Sequence, residues 1–425
     1  MTNKPIQKLD VSRTLTSGRK VSVGVLAQNK HGVYFQYHDE YLKQFHNLSP
    51  FSLVADTSVQ RAPDSPHQGL HGVFSDSLPD GWGLLLQNRV FRQRDIAPER
   101  ITAMDRLAFV GDSALGALTF SPMSEYNIAS QQDTSIAELG LNAQRLFDGQ
   151  TDEVLAQLVA AGSSGGARPK ANVYVNPNDP RNCRTRPNPG DEAWLVKFTS
   201  ANLALGHEEG MCEAAYLTMA ARAGLQPPEW RLIDAPQPSQ AQKWLALKRF
   251  DYVSNPEGSA GRMHLHSACG LLDADFRAPS LDYQDLIKAT AILCKSPAAA
   301  QRQFRRAIFN LLVANQDDHS KNWAFMLNDN GQWQPAPFYD VTYSPHPFDE
   351  HATSYAGYGK QPPLKALKQL ADSAGYARWS IAQQAIEEMF DVVAEFAQIA
   401  TDLGVRPQTI KRITQQHQQI RKALM

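Results

Sequence analysis

The stretch from Asn315 to Asp340 constrains the fold of this chain more than any other. Phe304, Ala307, Ile308 and Leu311 recur at the spacing of one helix face, so a buried helix is predicted there. It runs into the polar string Asn315-Gln316-Asp317-Asp318-His319-Ser320-Lys321-Asn322, a loop anchored on a rigid element. Residues 323–327 read as a strand and Asn328-Asn330 with Asp329 and Gly331 as a turn and nothing more. Trp333 begins the return strand. The return delivers Pro337-Phe338-Tyr339-Asp340, so two polar clusters stand at opposite ends of one hairpin, close enough to act together.

The rest of the chain reads as mixed before this region and mainly helical around and after it. Val21, Val23 and Val25 alternate with smaller residues over Lys20–Asn29, a strand, and residues 31–37 give a turn and a second strand. Ser77-Leu78-Pro79-Asp80-Gly81 breaks the chain sharply before a helical stretch, residues 82–91. Residues 124–134 are polar and serve as a candidate linker, residues 135–161 have helical character, and residues 176–191 read as an exposed loop. Short strands are predicted over residues 171–175, 194–198 and 244–250. Between the last two, Cys212, Ala215, Tyr216, Met219, Ala220 and Ala223 form a buried helical stripe, closed by Gly224. Three units are expected: a small α+β module over 1–125, a mixed portion over 135–250 and a helical portion over 251–425. This order is able to place a cleft between two lobes.

Composition narrows the function classes. A formal net charge of −1 over 425 residues supplies no global field for nucleic acid or anionic lipid. The four cysteines, Cys183, Cys212, Cys269 and Cys294, contain no CxxC pair, which argues against a zinc site or a disulfide framework. Residues 1–10 are polar, and no apolar run approaches the roughly 20 residues that cross a bilayer. A cytoplasmic protein without membrane contact is expected.

The polar ends of the hairpin suit phosphoryl transfer from ATP. That chemistry needs one carboxylate to orient the attacking hydroxyl, and a second carboxylate with a neutral amide to hold magnesium on the phosphates. In protein kinases the catalytic Asp precedes the metal-binding Asn by five residues, the interval between Asp317 and Asn322 here. Asp340 stands where the second metal ligand belongs, and Lys321 is placed to neutralise the transferring phosphate. Upstream, residues 162–170 form a Gly/Ser-rich loop whose backbone N–H groups are able to approach phosphates. Lys197, between Leu195, Val196 and Phe198, needs a counter-charge, and Glu213 on the following helix is its natural partner. Leu247-Lys248-Arg249-Phe250-Asp251 ends the mixed half, where a hinge backbone would meet adenine.

Taken singly, each feature has an ordinary alternative. An Asp-Asp-His loop often caps a helix, His319 serves as a structural hydrogen-bonder, Gly/Ser loops are often only flexible, and a strand lysine snorkels to solvent. Residues 247–251 are equally readable as a plain strand end. Carboxylate, amide, hairpin and carboxylate in order carry the functional reading. A metal-dependent hydrolase using Asp317, Asp318 and His319 lacks further ligands at credible spacing.

These motifs resemble the HipA family of bacterial serine/threonine kinase toxins, over almost the whole chain. The resemblance rests most specifically on Asp317-x-His319-x-Lys321-Asn322 and Phe338-Tyr339-Asp340, and also on Gly166-Ala167-Arg168-Pro169-Lys170 and Ser77-Leu78-Pro79-Asp80-Gly81. It implies an α+β, two-lobed protein-kinase-like fold, with an extra N-terminal subdomain on a mixed N-terminal lobe and a mainly helical C-terminal lobe. By the same resemblance Asp317 and Lys321 serve catalysis, and Asn322 and Asp340 hold Mg2+. ATP would meet Gly165, Gly166, Ala167, Arg168, Lys170, Lys197, Glu213, Lys248, Phe250, His319, Asn322 and Tyr339. Family members autophosphorylate a serine of the Gly-rich loop; Ser163 matches best, with Ser164 adjacent. The resemblance also implies a toxin–antitoxin module: a small helix-turn-helix antitoxin of the HipB type, operator DNA reached mainly through it, and a protein substrate such as an aminoacyl-tRNA synthetase. The competing class is a kinase-fold binding protein acting chiefly as an antitoxin-bound corepressor. Two departures stand out: Pro169 occupies a loop position that is often polar, and Val341 follows Asp340 where eukaryotic kinases have Phe-Gly.

Overall fold

Alternating apolar residues build the first layer. In β1 (Lys8–Thr14), Leu9 and Val11 point inward and Lys8 and Asp10 outward. β1 pairs antiparallel with β2 (Lys20–Asn29) and with β5 (Leu118–Ser121); β2 continues to β3 (Gly32–Tyr37) and a short β4 (Gln60–Arg61). Phe35, Phe74, Leu107 and Phe120 fill the core against this sheet. Helix α1 (Gly81–Arg92) leaves this module toward the next sheet and buries Trp82 and Leu86 there. The computed structural model describes residues 5–126, 133–151, 156–161, 166–180 and 182–424.

The second sheet has six strands in the order β10-β11-β9-β7-β8-β6: β6 (Asp133–Ser135), β7 (Lys170–Val175), β8 (Asn182–Arg184), β9 (Glu192–Lys197), β10 (Trp230–Asp234) and β11 (Lys243–Lys248). Every residue of β7 is buried, as expected of a strand covered on both faces. Helix α2 (Glu209–Arg222) lays Ala214 and Leu217 on Leu245 and Leu247 of β11, and Gly224 follows it at φ +69°. The helical lobe is organised by α3 (Tyr283–Cys294) and α4 (Pro297–Leu312). Ser296 caps α4 with its hydroxyl on the Ala299 N–H, Pro297 sits in the first turn, and Phe304, Ile308 and Leu311 face Leu286 and Ile287. Helices α5 (Trp379–Ala394) and α6 (Pro407–Leu424) close the same core. The architecture is α+β and two-lobed, of the protein-kinase-like kind. No helix among the described residues is long and apolar enough to cross a membrane.

Several local expectations need correction. The hairpin, β13 (Ala324–Leu327) and β14 (Trp333–Pro335), is not alone: β12 (His264–Ser267) pairs with β13 and makes a three-stranded sheet. The supposed exposed loop over 176–191 contains β8, whose Cys183 is buried and pairs across to β6. The helical character read over 135–161 is borne out by two helices, Ile136–Phe147 and Ala156–Ala161, with Gly149 at φ +72° turning the chain after the first. Strand β1 escaped notice because its third inward position holds Arg13, which breaks the apolar alternation. The Asn328–Gly331 turn does more than reverse the chain. Arg13 donates to the Leu327 and Asn328 carbonyls at 3.3 and 3.1 Å and pairs with Asp329 at 3.2 Å, and Thr16 N–H donates to Asp329 at 2.9 Å.

Candidate active site

The loop after α4 is set by backbone and side-chain bonds near its root. Ala314 takes φ +53°, and Asn315 Nδ2 donates to Asn310 Oδ1 at 2.9 Å. Asn322 Nδ2 donates to the Asp317 carbonyl at 2.7 Å, so the five-residue interval closes into a turn with both side chains on the cleft. The Asp317 carboxylate is 69% accessible at the mouth, 3.9 Å from His319 Nε2. Burial of its surroundings pushes Asp317 above the usual carboxylate range; His319 opposes this and Asp340 adds to it. Asp318 points the other way, is 1% exposed, and accepts from Tyr283 Oη at 2.6 Å, His351 Nδ1 at 2.9 Å and Thr353 N–H at 3.2 Å. It is an internal brace and does not line the cleft, which removes the hydrolase triplet of Asp317, Asp318 and His319.

Asp340 enters from the other end of the hairpin with φ +53°, a conformation that Asp tolerates better than most residues and that functional sites often retain. Its carboxylate contacts the Lys197 ammonium. Burial alone would raise Asp340, but Lys197 and then Lys170 hold it well below the usual range. Lys197 also donates to Glu213 Oε1 on α2 at 2.6 Å. One ammonium is therefore shared by two carboxylates, and burial pushes Glu213 upward although Lys197 works against it. Arg168 lies 3.1 Å from Glu209 and 3.6 Å from Glu213. Lys170 stands beside Lys197 in the β7–β9 register, and burial pushes it down to about 8.

These groups line one cleft of about 670 Å³, within the usual range for small-molecule sites. Leu195, Leu247, Phe250 and Tyr339 form its apolar wall, with the Phe250 and Tyr339 rings stacked at 5.7 Å. Gly166, Ala167, Arg168, Lys170, Lys197, Lys248, Asp317, His319, Lys321, Asn322, Tyr339 and Asp340 all contribute to the lining. Glu213 reaches it only through Lys197. The Lys248 ammonium turns to Glu192 and Glu229, at 2.7 and 3.3 Å, so its charge is not directed at the cleft. Ser163, Ser164 and Gly165 lie outside the described residues.

One residue escaped the sequence reading. Asp80, just before α1, takes the Lys321 ammonium at 2.7 Å and accepts from the Gly166 N–H. Lys321 is thus held by a carboxylate from the N-terminal module, and it also sits 4.2 Å over the Phe276 ring. The sequence signals were the abrupt break at Ser77-Leu78-Pro79-Asp80-Gly81 and its family resemblance, neither of which assigns Asp80 a partner.

Comparison with known proteins agrees with this architecture. The family model of the HipA-like C-terminal domain matches residues 162–423, and that of the HipA N-terminal domain matches residues 17–121. A putative kinase, Y4dM, of Sinorhizobium fredii is 24% identical over 317 residues, 72% of this chain and 71% of that protein. The serine/threonine-protein kinase toxin HipA of Shewanella oneidensis is 30% identical over 117 residues, covering 23% of this chain and 27% of the toxin. Among solved structures, the Shewanella oneidensis MR-1 HipA, HipB and operator DNA complex matches with a TM-score of 0.70 at 17% identity, over 98% of this chain and 96% of that one. With family models covering both its N-terminal module and more than half its length, the chain belongs to the HipA family.

Proposed function

We propose that this protein is an ATP- and Mg2+-dependent serine/threonine protein kinase, and the toxin of a toxin–antitoxin module. The observation that carries the proposal is the meeting of Asp317, Asn322, Asp340 and the Lys197–Glu213 pair on a single cleft. The donor set fits magnesium. Asn322 commits its Nδ2 to the Asp317 carbonyl, which leaves its amide oxygen to join the Asp340 carboxylate as a hard ligand. Magnesium is commonly held by one or two such groups plus substrate phosphates, so a full protein cage is not needed. Bound there, it would supply charge neutralisation on the phosphates during transfer.

The chain's own residues supply the rest. The apolar wall of Leu195, Leu247, Phe250 and Tyr339 accepts a planar base and excludes water from it. Lys170 and Lys197 bring positive charge to the triphosphate end, and Lys197 is kept in line by Glu213. Asp317, at the accessible mouth, accepts the proton of an incoming serine or threonine hydroxyl as its oxygen bonds to the γ-phosphorus and ADP leaves. Lys197 and then Lys170 hold the Asp340 carboxyl below its ordinary range against the burial that would raise it, so it stays anionic for the metal.

The fuller reading includes autophosphorylation at Ser163 or Ser164, a protein target such as an aminoacyl-tRNA synthetase, a HipB-type helix-turn-helix antitoxin with operator DNA reached through it, and a cytoplasmic location. It also keeps the division at 1–125, 135–250 and 251–425. The similarity to HipA in its complex with HipB and DNA supports the partner part. Intact mass before and after incubation with Mg-ATP tests the core of it. Wild type is expected to gain phosphate, and Asp317→Ala and Asp340→Ala are expected to gain none. Wild type that neither binds Mg-ATP nor takes up phosphate refutes the assignment.

A further inference from the structure

Three consecutive residues of the N-terminal module, Asp80 to Trp82, bond the chain at Gly166–Lys170, and Asp80 and Gly81 line the cleft. Asp80, 7% exposed, holds the Lys321 ammonium with one oxygen and accepts from the Gly166 N–H with the other. Gly81 follows at φ +43°, and a Cβ there would meet the Gly166 carbonyl oxygen at 2.4 Å. Trp82 N–H donates to that same carbonyl at 3.0 Å, and Trp82 Nε1 donates to the Lys170 carbonyl at 2.9 Å. Residues 80–82 therefore grip the chain between Gly166 and Lys170, while Asp80 alone also grips the catalytic loop.

The chemistry of the gripping group is informative. A carboxylate beside an expected triphosphate repels it, so the position carries a cost that a neutral acceptor would avoid. An amide oxygen would serve the Gly166 N–H equally well; the Lys321 ammonium, with that of Lys170 nearby, calls for a full negative charge. Burial alone would raise the Asp80 carboxyl, yet Lys321 and the Gly166 N–H keep it below the usual range, so it stays anionic.

We propose that Asp80 is a positioning residue of the phosphoryl-transfer site. It ties Lys321 of the catalytic loop and the backbone at Gly166 to one carboxylate, so that Lys321 and the Gly166–Lys170 segment meet the triphosphate in a fixed register. The inference rests on the kinase reading above.

The test uses the full chain as wild type, Asp80→Asn, Asp80→Glu, Lys321→Met and the Asp80→Asn/Lys321→Met double variant. Three quantities are read: Mg-ATP affinity by calorimetry, the rate of phosphate uptake at saturating Mg-ATP by intact mass, and the melting temperature. Asp80→Asn is expected to slow uptake by about tenfold or more, the scale of one charge-assisted bond, with affinity changed by less than about threefold. The double variant is expected to be no slower than the slower single, because both remove the same contact. Asp80→Glu, which keeps the charge but displaces it, is expected to fall between wild type and Asp80→Asn.

An Asp80→Asn protein that melts early but turns over at the wild-type rate has lost only structural support, and that overturns the inference. So do single effects that multiply in the double variant. If Asp80→Asn does not fold, an Asp80→Glu rate equal to wild type overturns it as well. A wild type that binds no Mg-ATP and takes up no phosphate sinks the kinase assignment itself, an outcome distinct from the others.

Discussion

The shared ammonium of Lys197 makes unequal predictions for its two ends. Lys197 is 5% exposed and Glu213 1% exposed, so neither end can turn to water if its partner goes. Lys197→Met leaves Glu213 with Arg168 at 3.6 Å as its remaining cation and takes the contact from Asp340 as well. Stranding a buried charge in this way costs about 3–5 kcal/mol. Glu213→Gln is milder, because Lys197 keeps Asp340. The loss expected is about 1–2 kcal/mol, one hydrogen bond. In the double variant the stranded carboxylate is gone, so its cost should undercut the sum of the singles by about 1 kcal/mol or more. Urea unfolding read by tryptophan fluorescence measures all three, with Trp194 and Trp244 on strands flanking the site. If Glu213→Gln costs as much as Lys197→Met, or the singles simply add, the shared-ammonium account is wrong.

Lys170 links nucleotide binding to pH. Burial pushes it down to about 8, and a bound triphosphate favours the charged form, so affinity for ATP should fall by up to about tenfold per pH unit above that value. Lys170→Met should bind more weakly and lose this slope; calorimetry from pH 7 to 9.5 checks both. Asp76 accepts from the Ser267 N–H at 2.8 Å and from His266 Nδ1 at 2.6 Å, while His266 Nε2 meets Ser49 Oγ at 2.8 Å. Ser49 and His266 of this Ser–His–Asp chain are buried while Asp76 is half-buried at the cleft wall; the chain braces the N-terminal module on β12, so Asp76→Asn should cost about 1–3 kcal/mol of stability, read as a lowered melting temperature. Tyr283→Phe removes a donor from buried Asp318, and should cost about 1–3 kcal/mol and slow phosphate uptake, because Asp318 is the backbone neighbour of Asp317. Unchanged melting and unchanged rate would deny Asp318 the bracing role.

What was legible in the sequence was local. The helix stripe ending at Leu311, the polar string from Asn315, the hairpin and Asp340 lie close along the chain, and their periods and turn residues announce them. Lys197 was readable because an ammonium among Leu195, Val196 and Phe198 must find an anion, and the next helix offers Glu213 one turn inside its buried stripe. Lys248, an expected ATP contact, is claimed by Glu192 on β9 and by Glu229 just before β10, and only sheet order shows that. Strand β8 hid for a related reason: a Pro- and Asn-rich stretch pairs inside the sheet because β6 and β7 supply partners on its two sides.

The contacts that remained invisible are those made across the greatest chain separation, and they share a direction. Arg13 and Thr16 hold Asp329 at the tip of the hairpin, and Asp80 holds Lys321 at its root, 241 residues away in sequence. Both ends of the one element that carries the proposed chemistry are thus pinned by the same N-terminal module. Charge-assisted hydrogen bonds of this kind add directional specificity at two points of the hairpin to the apolar packing beneath it. The register between Asp317 at one end and Asp340 at the other then depends on a module that contributes no proposed phosphate or metal ligand. The small antiparallel sheet of that module therefore bears on the hairpin at its tip through Arg13 and Thr16, and the helix that follows bears on its root through Asp80.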